Sequence, residues 1–338
     1  MRRRKFIALS VGAAISWPLA TRAQQPKMPV VGFLNGGSPD GYAKYVAGFL
    51  HGLMETGYVE GKNVTVDYRW ARGQYDLLEA MAADLARQKV AVIAANTPAA
   101  PVTKAATSEI PIVFVSTGDA VIGGLVMGFN RPGGNMTGVG LLGPPLETKR
   151  LGLLHEFVPG IVPIRVLVNP ANPAADLQLQ QLRDAAEVIK RHIDIAPAST
   201  ALEIERAFEI AVQRKSAALL VVQDPFYNSQ RVQLVALAAR HKLPVMYPVR
   251  EFVEIGGLVS YGHNLVDGYR AMGVYAGRIL KGEKPADLPV VQPTKFEFVI
   301  NLKTAKELDL PVSAALLARA DEVIESCCAM SPYGPKRT

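Results

Sequence analysis

The chain has 338 residues, 49% of them hydrophobic and 20% charged, with two cysteines and a formal net charge of +7 at pH 7. That length exceeds what one small core organises and points to two domains; the composition excludes a disordered or collagen-like chain, and two cysteines exclude a disulfide framework. A charge of +7 would suit a nucleic-acid or membrane-surface partner, and its meaning depends on where the charges sit.

The chain opens Arg2-Arg3-Arg4-Lys5, continues with an apolar run from Phe6 to Trp17, and closes on Thr21-Arg22-Ala23. That order of basic, apolar and small residues is the pattern of an export signal, cleaved after Ala23. The apolar run is too short to span a bilayer. Arg3-Arg4 also fits a twin-arginine signal, and a plain basic leader is the alternative. The segment holds five of the 37 basic residues and no acid, so 32 basic residues face 30 acidic ones in the mature chain. The net charge falls to +2, which removes the argument for a nucleic-acid partner. The expected product is periplasmic, 315 residues long once 23 of the 338 are removed, and does not span a membrane. Cys327 and Cys328 are adjacent in a tail at 326–338, where backbone geometry opposes a bridge.

Along the mature chain short β-rich runs alternate with amphipathic segments. Strands are predicted at 29–34, 64–70, 90–94 and 110–115, with helices at 41–56, 75–88 and 99–107 between them. After the turn cluster Arg131-Pro132-Gly133-Gly134-Asn135 a strand follows at 136–142, then the connector Gly143-Pro144-Pro145. The alternation restarts with helices at 146–158, 175–190, 202–214 and 229–241, and strands at 165–168, 192–196, 217–222, 244–247 and 257–260. A long helix at 265–280, a strand at 295–300 and short helices near Thr304 and Ser313 complete the pattern. Repeated β-α order implies parallel sheets covered by helices on both faces, here two doubly wound α/β lobes joined by a multi-segment hinge. The late elements have to complete both lobes: 28–143 with about 264–290 in the first, and 144–263 with about 291–325 in the second.

In open parallel sheets ligands bind beyond the carboxyl ends of the strands. Those ends carry Asn35 to Asp40, Asn96-Thr97-Pro98, Ser116 to Asp119, Asn169 to Asn172, Gln223 to Asn228, Tyr247, and Tyr261 to Asn264. Asn, Ser, Thr and Tyr with two carboxylates suit hydrogen bonding of a small polar ligand. Helix N-termini beyond such loops offer free N–H groups to a carboxylate. The candidates are Asn35, Thr97, Ser116, Asp119, Asn169, Asp224 and Tyr261. Thr97 and Ser116 would hold a carboxylate, Asp119 or Asp224 an ammonium, Asn35 and Asn169 would orient the ligand from either lobe, and Tyr261 would wall the pocket. Each of these polar residues also serves as an N-cap or turn former in ordinary folds; the argument rests on their convergence. No dinucleotide fingerprint, phosphate-binding loop or nucleophile elbow is present. The five histidines are not at metal-ligand spacing, and only His263 lies in a candidate ligand segment. The reading is a non-catalytic binding protein with no cofactor and no metal.

Several stretches carry a family likeness: Val31-Gly32-Phe33-Leu34, Gly57-Tyr58-Val59-Glu60-Gly61-Lys62-Asn63, Arg131 to Gly138, Lys149-Arg150-Leu151, Asn169-Pro170-Ala171-Asn172-Pro173, Arg250-Glu251-Phe252-Val253, Ser260-Tyr261-Gly262 and Pro285 to Val290. On these, the chain resembles the substrate-binding proteins of ABC transporters, in the branch that includes binders of tryptophan and other aromatic amino acids. The resemblance spans about 29–325. It implies a type I periplasmic-binding-protein fold, a monomer whose two lobes close on a small ligand such as an amino acid or related carboxylate, and a permease with its ATPase as partners. Two departures fall in candidate ligand segments: Asp119-Ala120 where the family often has Asp-Pro, and Tyr261-Gly262-His263 where it often has Tyr-Gly-Pro. The motifs therefore speak to family and fold, and not to the ligand. A receptor feeding a signalling partner and an exported enzyme on the same fold are the alternatives.

Overall fold

A computed structural model describes residues 28–141 and 146–325. The export signal, the connector Gly143-Pro144-Pro145 and the tail with Cys327 and Cys328 lie outside the described residues. The first sheet is assembled from β1 (Val30–Asn35), α1 (Pro39–Glu55), β2 (Thr65–Trp70), a 3₁₀ turn at Tyr75–Leu77 leading into α2 (Leu78–Arg87), β3 (Val92–Asn96), α3 (Ala99–Ala106), β4 (Ile112–Ser116) and β5 (Met136–Gly140). Its five strands are parallel in the order β2-β1-β3-β4-β5. Successive residues of each strand feed opposite faces. Val31, Phe33, Val92, Ala94, Val113 and Val115 belong to one cluster, and Leu34, Ile93, Ala95, Ile112 and Phe114 to the other. The continuous apolar runs in the sequence therefore reflect a sheet covered on both sides.

The second sheet follows with α4 (Leu146–Phe157), β6 (Ile164–Val168), α5 (Ala175–Val188), β7 (Ile193–Pro197), α6 (Ala201–Gln213), β8 (Ala218–Val221), α7 (Pro225–Ser229), α8 (Arg231–Arg240), β9 (Val245–Tyr247), α9 (Arg250–Glu254) and β10 (Val259–His263). Then come α10 (Leu265–Leu280), a 3₁₀ turn at Pro285–Asp287, β11 (Phe296–Asn301), α11 (Leu302–Glu307), α12 (Ala314–Leu317) and β12 (Glu322–Ile324). The order is β12-β11-β10-β9-β8-β6-β7, parallel except between β10 and β11. Helix α10 leaves this sheet and packs along α1 over the first one. Two glycines make that approach possible. A Cβ on Gly52 would run into the Arg270 carbonyl, and one on Gly273 into the Phe49 carbonyl. The chain then pairs briefly with the β5 edge through Val291 before β11 returns it to the second sheet. It thus passes between the sheets three times, after Leu141, at His263–Leu265 and beyond Val291.

The structure differs from the sequence reading at four places. The helix expected at 229–241 is broken at Gln230 into α7 and α8, because Asp224 caps a separate short turn that begins at Pro225. Helix α9 and strand β12 are additional. Strand β10 runs on to His263, which places Tyr261 and His263 in a strand and not in a loop; the antiparallel pairing His263↔Phe296 extends it.

Three of the matched motifs serve the fold. Asn63 closes the turn between α1 and β2, accepting from the Val59 N–H at 2.7 Å and donating to the Gly57 carbonyl at 2.8 Å. Asn135 ties the start of β5 to the Thr107 and Ile110 carbonyls. Arg150 is buried, donating to the carbonyls of Tyr261 (2.7 Å) and Pro248 (3.2 Å) and to Glu147 Oε1 (2.7 Å), so that α4 is bolted to β10 and the end of β9. Among the described residues no helix is long and apolar enough to cross a membrane.

Candidate functional site: the cleft between the two sheets

The carboxyl ends of the two sheets face each other. On the first, Asn35 at the end of β1 is fully buried; its Nδ2 donates to the Tyr269 hydroxyl (3.0 Å) and its Oδ1 accepts from the Gly37 N–H (2.7 Å) and Asn96 Nδ2 (3.2 Å). Thr97 Oγ1 donates to Ser116 Oγ at 3.2 Å, and Ser116 Oγ in turn to the Gly118 carbonyl. The Thr97–Pro98 bond is cis, and α3 beyond it has no side-chain cap. Asp119 Oδ1 accepts from the Val121 and Ile122 N–H groups at 2.8 and 3.0 Å, closing the loop that follows β4.

On the second sheet Asp224 is the hub. It is completely buried. Its Oδ1 accepts from the Tyr75 hydroxyl (2.9 Å), the Phe226 N–H (2.8 Å) and Asn169 Nδ2 (3.3 Å), and its Oδ2 from Asn172 Nδ2 (2.7 Å). Burial pushes this carboxyl upward, and Asn172, Tyr75, Asn169 and the Phe226 N–H pull it back. Tyr75 belongs to the first lobe, and burial raises its phenol well above the ordinary range, so it is a neutral donor. Nearby contacts join the lobes as well: the Ser38 N–H donates to Ser229 Oγ (3.0 Å), Arg231 donates to the Gly41 carbonyl (2.6 Å), and Lys44 pairs with Glu254 (2.5 Å). Gly41 is a requirement of that contact, since a Cβ there would lie 2.6 Å from the Ser229 Cα.

Beside this seam lies a cavity of about 240 Å³, bounded by both lobes. Thr117, Gly118 and Asp119 come from the end of β4 and Gln223 from the end of β8, with Glu147, Arg150, Gln178 and His263 around them and Leu141, Leu146, Val249 and Leu265 as apolar wall. The side chains of Glu147, Gln178 and His263 are more than nine-tenths buried. Burial, reinforced by Arg150, lowers the His263 pKa, against weaker opposition from the Lys295 and Leu141 backbone; the ring is neutral at neutral pH.

Of the sequence candidates, Thr97 and Ser116 touch each other, and Asn169 touches Asp224. Asp119 borders the cavity. Asn35 is committed to Tyr269, Gly37 and Asn96. Tyr261 is not among the residues around the cavity; its ring stacks on Phe296 (5.8 Å between centroids) and meets Phe298 edge-on. Trp70 stacks on Tyr68 and leans on Phe33 and Tyr42. Sequence reading missed Tyr75, Glu147, Arg150 and Gln178, because all four sit in or at the start of helical segments, away from strand ends. Their signal was faint: Glu147 and Arg150 stand three apart on a helix face that also carries Leu151 and Leu154.

The family model described as ABC transporter substrate binding protein matches residues 27–324. A protein of Clostridioides difficile (strain R20291) named "Tyrosine-binding protein" is 29% identical over 266 residues, which are 78% of this chain and 76% of that one. Among solved structures, a conserved domain protein from Vibrio cholerae O1 biovar El Tor is similar at a TM-score of 0.79 with 28% identity, over 88% of this chain and 100% of the other. The ABC domain in complex with L-Trp from Streptococcus pneumonia is similar at 0.77 with 26% identity, over 88% of this chain and 99% of the other. The match to the family model runs through both sheets and the cleft between them, and this chain belongs to the family of ABC transporter substrate-binding proteins.

Proposed function

We propose that this protein is a periplasmic receptor that captures an amino acid, an aromatic one by preference, between two closing lobes and presents it to the permease and ATPase of an ABC importer. The observation that carries the reading is a cavity lined from both sheets, part apolar and part polar, beside the buried polar seam at the strand ends. A ligand there contacts both lobes at once and so favours their closed arrangement; the permease reads that arrangement. Asp119 at the cavity edge takes the ammonium, and Thr97, before the uncapped start of α3, with Ser116, at the end of β4, anchors the carboxylate from just outside the cavity's lining. Asp224 already faces four donors, and its role is to hold the lobes through Tyr75. The aromatic preference is supported by the name of the Clostridioides relative and the L-Trp of the pneumococcal structure. Export rests on the leader at 1–23, cleaved after Ala23.

The test is a thermal-shift screen of the mature protein against amino acids and small carboxylates, followed by calorimetric titration. A ligand at a hundredfold excess over Kd adds about 2.7 kcal/mol of stability, a shift of several degrees. An aromatic amino acid is expected among the hits. No stabilisation by any amino acid would overturn the ligand class.

A further inference from the structure

The polar groups of the cavity are unbalanced. Arg150 is the strong donor of the group, and three of its five N–H groups are taken within the fold by Glu147 and by two backbone carbonyls. Gln178 turns its Nε2 away to the Gln223 carbonyl at 2.8 Å. Among the described residues, Glu147 Oε2 and Gln178 Oε1 remain without a hydrogen-bond partner, and the two ring nitrogens of His263 face the Lys295 and Leu141 backbone without closing a hydrogen bond. The first two are obligate acceptors, and a neutral imidazole always has one bare nitrogen. A buried acceptor without a donor costs free energy that a bound donor recovers. These groups come from α4, α5 and β10, three separate elements, and all border one cavity.

We propose that Glu147, Gln178 and His263 form a specificity subsite that takes a hydrogen-bond-donating, non-anionic group at the far end of the ligand: a phenol O–H, an indole N–H or an amide NH₂. This deepens the reading of the cleft as an amino-acid site and rests on it. The apolar wall of Leu141, Leu146, Val249 and Leu265 accommodates the body of such a side chain, and the acceptors read its tip. A carboxylate tip would face the Glu147 carboxylate and the Gln178 carbonyl oxygen, with a single imidazole N–H as donor on that side, and binds more weakly. Methylating the donor removes the hydrogen and weakens binding too.

The test is calorimetric titration of three matched pairs into the mature protein: L-tyrosine against L-phenylalanine, L-tryptophan against 1-methyl-L-tryptophan, and L-glutamine against L-glutamate. In whichever pair binds, the donor-bearing member is expected to bind about tenfold or more tightly, the scale of one buried hydrogen bond. The His263→Phe variant keeps the ring contact with Phe296 (4.5 Å between centroids) and removes both nitrogens; Gln178→Leu removes the amide. Each is expected to shrink the preference severalfold. Members of a pair binding equally to the wild-type protein, or a preference unchanged in both variants, would overturn the subsite and leave the amino-acid reading standing. Failure of all six compounds to bind would overturn the amino-acid reading and the subsite with it.

Discussion

In the proposed closing of the lobes, the Tyr75 hydroxyl is the most direct lever. It crosses the cleft to Asp224 Oδ1 at 2.9 Å and lies 3.1 Å from the Phe226 N–H. Replacing Tyr75 by Phe keeps the ring and deletes the hydroxyl. The Phe226 N–H loses little, since it also donates to Asp224 at 2.8 Å. The carboxylate loses one of four donors while fully buried, and the remaining three come from its own lobe. A hydrogen bond to a charged group contributes about 1.5–3 kcal/mol. The deleted bond exists only when the lobes are together, so that amount is removed from the closed state alone. The closing equilibrium should move toward the open form by about tenfold to a hundredfold. Ser38, Lys44 and Arg231 still reach across, so closure is weakened and not abolished. Under the proposed mechanism the Kd for the ligand rises by up to the same factor. Small-angle scattering of the ligand-free variant should show a larger radius of gyration, with thermal unfolding of each lobe little changed. An unchanged Kd together with an unchanged radius of gyration would refute the assignment of Tyr75 as a latch.

Three further outcomes follow from particular contacts. Arg150→Met should lower stability by about 3–5 kcal/mol in urea denaturation, because Glu147 and two carbonyls are left buried without their partner. A loss below 1 kcal/mol would contradict the bolting role. Gly52→Ala should destabilise the protein by about 1–3 kcal/mol despite the better helix propensity of alanine, since the new methyl group meets the Arg270 backbone; equal or higher stability would show that α1 and α10 have room to separate. The His263 pKa is depressed in the folded state, so the ring contributes stability that is present above its unfolded pKa of about 6.5 and is lost as pH falls below it. The difference in Tm between the wild-type protein and His263→Phe should therefore move against the wild type between pH 7.5 and pH 5.5, and a difference independent of pH would remove the burial argument.

The strand runs and the long helix at 265–280 were legible because burial on two faces writes unbroken apolar stretches, and a helix writes its own spacing. The strand-end residues Asn35, Thr97, Ser116, Asn169 and Asp224 could be read because strand ends are where such sheets present their polar groups. The register of β10 could not. It depends on pairing with β11, 33 residues away at His263↔Phe296, and no local pattern encodes a partner at that distance. Tyr261 and His263 stand two apart on one face of that strand and both rings meet Phe296; His263, at the strand's end, also borders the cavity, and Tyr261 does not.

By itself the sequence determined the α/β class, the two lobes and the family, and it carries the expectation that the net charge falls from +7 to +2 with removal of the proposed leader. These follow from periodicity, composition and local motifs, which need no knowledge of the fold. The tertiary structure alone decided that Asp224 is a closed hub facing Tyr75, that Arg150 is tied to Glu147 and two carbonyls, and that, among the described residues, Glu147 Oε2 and Gln178 Oε1 are left as unpaired acceptors beside the cavity. Hydrogen-bond satisfaction is a property of neighbours in space. Residues such as Glu147, Gln178 and His263 are far apart in the chain and become a site only when three elements pack around one void.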